Sequence, residues 1–160
     1  LAQTPSPSPS PRPSDLDVLV ERITADVRAA VNDLPPGDLF CAPPPTPAPS
    51  AKPTPVPSTK PLPVCRPRPL SDTADLRDAV ETGLLTLRLE PVPACLEPWA
   101  DMVELALRLL DLSFDAVAAG SPAGRLMFDA TGPVGYAMLT ENAPALRKVL
   151  DCEPPLGDAA

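Results

Sequence analysis

PWADMVELALRLLDLSFDAVAA, residues 98–119, is the stretch that decides the fold. Proline is favoured in the first turn of a helix, and neither proline nor glycine interrupts the run again before Gly120, so we predict one long helix. A helix that is apolar around most of its circumference is central, covered by neighbouring helices or by a second molecule. Its charged residues instead form a single narrow stripe, with spacings of three and four: Asp101, Glu104, Arg108, Asp111 and Asp115.

Residues 15–34 are predicted to form the first helix of the same bundle. Ser14 precedes Asp17 by three residues, which is typical of a helix start, and no breaker follows until Pro35. Two interpretations fit the apolar spacing, which is that of a short coiled-coil seam: packing inside the chain's own domain, or an interface with a second chain. The residues of that candidate interface are Leu16, Val20, Ile23, Val27 and Leu34.

The remaining helical segments are shorter. Residues 71–87 favour a helix, although the alternation that starts at Leu85 would also suit a short strand. Ser121 and Pro122 stand in the order of a helix cap and first position, and Gly132-Pro133 is expected to end that helix. Two short helices are predicted over residues 133–141 and 142–152, with Asn142 as a cap. The sequence therefore predicts an all-α fold, a small disulfide-linked bundle of four to six helices.

Prolines divide the chain into regions. In residues 1–14, proline occupies every second position from Pro5 to Pro13, which fixes φ and removes backbone donors. Residues 35–70 are similarly proline-rich, and both segments are predicted to be polyproline II or disordered. The resulting organisation is an N-terminal arm (1–14), a first helix (15–34), a proline-rich loop (35–70), a main helical region (71–152) and a C-terminal tail (153–160).

The four cysteines are predicted to form disulfides. The chain has no histidine and no CxxC spacing, which argues against a zinc site or a redox pair. Four cysteines allow three pairings, and we favour Cys41 with Cys65, closing the proline-rich loop, and Cys95 with Cys152, joining the ends of the main helical region. Disulfides persist in oxidising compartments, so the expected location is extracellular or at the cell surface.

Composition argues against several classes of function. The net charge of −8 and the five aromatic residues do not suit nucleic-acid binding. No apolar stretch is long enough for a transmembrane segment. The absence of histidine removes the usual general base and the commonest transition-metal ligand, so we expect neither an enzyme nor a cofactor or metal. Spaced carboxylates such as Asp72, Asp75 and Asp78 are interpreted as solvated helix faces.

The hydroxyl side chains of the proline-rich segments are candidate O-glycosylation sites. They are Thr4, Ser6, Ser8, Ser10, Thr46, Ser50, Thr54, Ser58 and Thr59. This Ser/Thr-Pro alternation resembles in style the tracts of cell-surface glycoproteins, a likeness that implies no functional residue.

The function predicted from these observations is that of an extracellular structural or interaction protein, a subunit of a surface assembly or filament. Its partners would be copies of itself, with the N-terminal arm lying on a neighbour, and cell-wall or surface glycans are further candidates. The alternative is a secreted helical carrier of a small apolar ligand. The residues that would line its pocket are Trp99, Met102, Phe114, Met127, Phe128, Tyr136 and Met138.

Overall fold

The computed structural model describes residues 13–34, 70–119, 121–150 and 152. These residues form five α-helices and no strand, so the all-α prediction is confirmed for this part of the chain. The helices are α1 (Pro13–Asn32), α2 (Ala74–Leu89), α3 (Glu97–Ala119), α4 (Pro122–Ala137) and α5 (Ala143–Val149). Short 3₁₀ turns at Leu70–Thr73 and Ala94–Leu96 precede α2 and α3, and a π-helical segment, Met138–Asn142, joins α4 to α5.

Helix α3 is the centre of the bundle, as its sequence predicts. Val103, Ala106 and Leu107 of α3 are fully buried, and full burial of a valine or leucine side chain contributes about 1.5–3 kcal/mol. Helices α2 and α3 are antiparallel, since ion pairs join Arg88 to Glu104 and Arg77 to Asp115. The charged stripe of α3 therefore lies along its contact with α2 and on the adjoining solvent face.

The apolar face of α1 packs inside the chain's own core. Leu16 and Val27 are 1% and 0% exposed, and Val20 and Ile23 are also buried. Leu34, after the end of α1, is half-buried against the same core. The structure therefore favours packing inside the chain's own domain for Leu16, Val20, Ile23 and Val27, because these buried side chains have little surface left for a second chain.

Helix α4 does not end at Gly132-Pro133, and the prediction of a break there is wrong. The helix runs through Pro133 to Ala137. A proline inside a helix removes one backbone hydrogen bond, but Gly132 and Gly135 are buried against α3, and that packing holds the helix in place. The backbone of Asn142 is also helical, with φ −75° and ψ −41°, so Asn142 does not cap a separate helix. Residues 122–149 are consequently one uninterrupted run of helical turns.

Other helix boundaries agree with the sequence. The Ser121 hydroxyl accepts a hydrogen bond from the backbone N–H of Gly124 at 3.0 Å, which confirms the predicted N-cap of α4. Helix α2 continues to Leu89, so the strand alternative from Leu85 is not adopted. Proline in the first turn of α3 is also confirmed, since that helix begins at Glu97.

A disulfide joins Cys95 to Cys152, with their Cα atoms 5.7 Å apart. It ties the turn before α3 to the residues that follow α5, which is the predicted pairing. Cys41 and Cys65 lie outside the described residues, as do most of the N-terminal arm and of the proline-rich loop, and the tail 153–160. None of the helices in the described ranges is both long and apolar enough to cross a membrane.

Candidate binding surfaces

The solvent side of α4 is almost entirely apolar. Its exposed residues are Pro122, Ala123, Leu126, Met127, Asp129, Ala130, Pro133 and Val134. Leu126 is 74% exposed, and Met127 and Val134 are nearly half exposed. The single carboxylate, Asp129, accepts hydrogen bonds from Arg125 at 3.1 and 2.9 Å. We call this side the outer face of α4. Large exposed apolar patches commonly mark interaction sites.

Helix α3, which packs against α4, also exposes apolar side chains. The two helices run antiparallel and very close together, since a Cβ on Gly135 would lie 2.8 Å from the carbonyl oxygen of Ala106. On α3, Leu105 and Leu112 are 49% and 41% exposed, and they are seven residues apart on one side of the helix. Aliphatic side chains of two adjoining helices thus remain in contact with water.

A groove of about 740 Å³ separates α1 from the segment Thr140–Lys148. Arginine side chains bridge it. Near the start of α1, Nε and Nη2 of Arg147 donate to the two carboxylate oxygens of Asp17 at 2.5 and 2.7 Å. Near the end of α1, Nη2 of Arg28 donates to the backbone carbonyl of Thr140 at 3.1 Å. Polar and charged residues, including Glu21 and Lys148, also line the groove, together with a few apolar residues such as Ala25 and Pro144.

Trp99 also lines this groove, and its indole N–H has no acceptor among the described residues. Trp99 is 4% exposed, and the guanidinium of Arg147 lies over its ring, 5.6 Å from the centroid. A buried donor without an acceptor costs about 1–3 kcal/mol. Because Arg147 contacts both the Trp99 ring and Asp17, Trp99 lies near the start of α1.

A second, smaller cleft of about 220 Å³ opens between α1, α2, α3 and α4. The hydroxyl of Ser113, which is 1% exposed, donates to the carbonyl oxygen of Leu110 at 2.5 Å. The other residues around the cleft are mainly apolar, and they are Val31, Leu76, Leu110, Phe114, Phe128, Gly132, Pro133 and Tyr136.

The residues predicted to line a ligand pocket do not converge on one cavity. Phe114, Phe128 and Tyr136 line the smaller cleft, whereas Trp99 lines the groove beside α1. Met127 is exposed on the outer face of α4. The remaining two, Met102 and Met138, are half-buried against the main core.

Most carboxylates of the described residues are held in ion pairs or face solvent, and Asp111 is half-buried. Hydrogen bonds from Arg108, at 2.6 Å, and then from Arg88 lower the pKa of Glu104. Burial, followed by repulsion from Asp115, raises the pKa of Asp111. Across the residues that the structure describes, no group of three or more cysteine, aspartate or glutamate side chains is arranged to bind a metal ion.

Sequence reasoning missed the cluster of Trp99, Arg147 and Asp17. Arg147 and Asp17 are 130 positions apart, and neither belongs to a recognisable sequence motif, so no local signal could have predicted their contact.

The candidate glycosylation residues all lie outside the described residues.

The fold and these surfaces define a disulfide-linked helical bundle with an apolar outer helix and a bridged groove. Comparison with protein families, curated proteins and solved structures gives no match to this chain.

Proposed function

We propose that this protein is an extracellular interaction protein, a subunit of a surface assembly or filament, and that the outer face of α4 binds a second copy of the chain. The observation that carries this proposal is the exposure of Leu126, Met127 and Val134 on a helix whose only charged residues are the paired Arg125 and Asp129. Apolar area removed from water contributes about 25 cal/mol per Å².

Charge favours a second copy as the occupant. The chain carries a net charge of −8, so two copies repel each other wherever their acidic surfaces meet. The outer face of α4 has no uncompensated charge, and it is a surface on which two copies can approach with little repulsion. A two-fold interface uses the same patch on both subunits, which suits a face that is apolar and self-complementary.

Sedimentation velocity of Leu126→Glu tests this proposal. The side chain is 74% exposed, so the substitution should leave the fold intact, as circular dichroism can verify. We expect the wild type to form dimers or larger species and Leu126→Glu to shift the distribution to monomers. The matched control is Leu85→Glu, at a leucine that is 62% exposed on α2, which should leave the distribution unchanged. A wild-type chain that stays monomeric at high concentration would refute the proposal.

The proposal also includes an extracellular or cell-surface location and O-glycosylation. The Cys95–Cys152 disulfide supports an oxidising compartment, and thus an extracellular or cell-surface location. We propose that the Ser/Thr-Pro segments carry O-linked sugars, with surface glycans as further partners. No catalytic reaction forms part of this proposal. Intact mass of the natively produced protein tests the modification, because a mass equal to that of the bare chain contradicts it.

The carrier function stays as a second candidate because of the smaller cleft. Its volume of about 220 Å³ and its aromatic lining would suit part of a small apolar molecule, although ligand pockets are commonly about 300–1,000 Å³. Native mass spectrometry and organic extraction of the purified protein would decide this, since a carrier should retain a ligand of defined mass. A chain that yields no extractable molecule contradicts the carrier function.

A further inference from the structure

We propose that the outer face of α4 pairs with the same face of a second copy in an antiparallel arrangement, with the two-fold axis passing between Leu126 and Met127. This pairing rests on the proposed function, which places a second copy on that face, and it adds the direction and the register of the two helices. At 74% exposure, Leu126 is the most exposed large apolar side chain of α4.

The order of large and small side chains on this face suits pairing with a reversed copy. Ala123 and Ala130 are seven residues apart, and Leu126 and Met127 lie at the centre of the interval between them. All four residues are exposed, and spacings of three and four place them on one side of the helix. The sizes therefore run small, large, large, small in either direction along α4, so a reversed copy presents the same order of sizes.

In the antiparallel register, each Ala123 lies level with Ala130 of the second copy. The distance between packed helices depends on the side chains at their contact, so these alanines allow a close approach at both ends of the interval. Between the two alanine contacts, the Leu126 and Met127 side chains of both copies meet at the axis. The large apolar side chains thus leave water together, where the helices lie closest.

The two edges of the outer face differ in charge, and this difference favours the antiparallel direction. Arg125 and Asp129 lie along the edge next to Leu126. The opposite edge carries Met127 and Val134. Parallel helices related by a two-fold axis bring unlike edges together, so the charged edge would meet the apolar edge. Reversing one helix brings like edges together, and the apolar edge then meets its own copy.

The register also brings opposite charges together along the charged edge. Within one copy, Arg125 Nε lies 2.9 Å from a carboxylate oxygen of Asp129. Across the axis, Arg125 is displaced along the helix by only about 1.5 Å from Asp129 of the second copy, whereas the two arginines are displaced by about 4.5 Å and the two aspartates by about 7.5 Å. The nearest charge across the interface is therefore of opposite sign.

Disulfide cross-linking between cysteines introduced at the two alanines tests the direction and the register. Both alanines are exposed, so Ala123→Cys and Ala130→Cys should fold like the wild type, as circular dichroism can verify. The two positions are about 10 Å apart along one helix, whereas the Cα atoms of a disulfide lie within about 7 Å of each other. In the antiparallel register, neither variant can cross-link with itself, but the two variants can cross-link with each other.

We expect mild oxidation of an equimolar mixture to link about half of the chains, because random pairing of two variants makes half of the two-fold dimers mixed. Peptide mapping should find position 123 joined to position 130. Each variant alone should stay unlinked. The wild type, oxidised in the same way, controls for the native cysteines. Leu126→Cys is the positive control, since position 126 lies beside the axis and should link with the same position of the second copy.

Linkage of each alanine variant with itself would mean that the helices pair in parallel, which overturns the antiparallel pairing and leaves the proposed function intact. Linkage of Leu126→Cys without linkage in the mixture would mean a different register, which also overturns it. Sedimentation velocity of the wild type separates both results from failure of the proposed function, because a monomeric wild type refutes the proposed function and the antiparallel pairing together.

Discussion

Replacing Gly135 with alanine should destabilise the protein by about 1–2 kcal/mol. A Cβ atom at Gly135 would lie 2.8 Å from the carbonyl oxygen of Ala106, and 3.0 Å from Leu109 Cβ and from the backbone nitrogen of Leu110. Two of these three atoms are backbone atoms, so α4 must move away from α3 to make room. Overpacking of this kind costs about 1–3 kcal/mol, and the higher helix propensity of alanine returns up to about 1 kcal/mol.

Gly132→Ala is the matched control, because Gly132 lies on the same side of α4 about one turn earlier. A Cβ atom there would lie 3.5 Å from Ser113 Cβ and 3.7 Å from Phe128 Cε2, which are ordinary contact distances. This variant should be as stable as the wild type, or more stable by up to about 1 kcal/mol. Urea unfolding followed by circular dichroism, with the disulfide intact, measures both free energies. Equal stabilities of the two variants would refute the close packing of α3 against α4.

Three further predictions concern the disulfide, the ion pair of Asp17 with Arg147, and Asp111. Removing the Cys95–Cys152 bridge, which spans 57 positions, should lower stability by about 4 kcal/mol because the unfolded chain gains freedom; an unchanged thermal midpoint after reduction contradicts this. A double-mutant cycle on Asp17 and Arg147, whose side chains are 33% and 27% exposed, should give a coupling of about 1 kcal/mol in urea unfolding, and additive effects would disprove it. The raised pKa of Asp111 means that its charge opposes folding once the pH exceeds that pKa, so stability is lost as pH rises through it. Asp111→Asn should therefore raise the thermal midpoint at pH 7 and give no gain well below the ordinary aspartate pKa of 3.8; an equal gain at both pH values argues against this reasoning.

Local sequence predicted the helices best where the signal was itself local. The positions of Ser121 and Pro122 fixed the start of α4, because an N-cap and its first turn involve residues within three positions of each other. The long apolar run of α3 likewise predicted its central place. The predicted break at Gly132-Pro133 was wrong because it considered only neighbouring residues. Packing against α3 outweighs the loss of one backbone hydrogen bond at Pro133.

The surfaces could be predicted only in part. The apolar periodicity of α1 showed which of its residues are buried, but not whether the covering side chains come from the same chain. The sequence also did not predict which side of α4 faces solvent, because apolar residues occur around most of this helix.

The sequence by itself determined an all-α fold with a central third helix, since helix formation and burial follow from spacing over a few turns. Only the tertiary structure decided that α1 is covered by its own chain, that α4 continues through Pro133, and that Trp99 meets Arg147 beside α1. These outcomes depend on contacts between residues far apart in the chain. Their free energy comes from shape and distance in the folded state, which no local pattern of residues encodes.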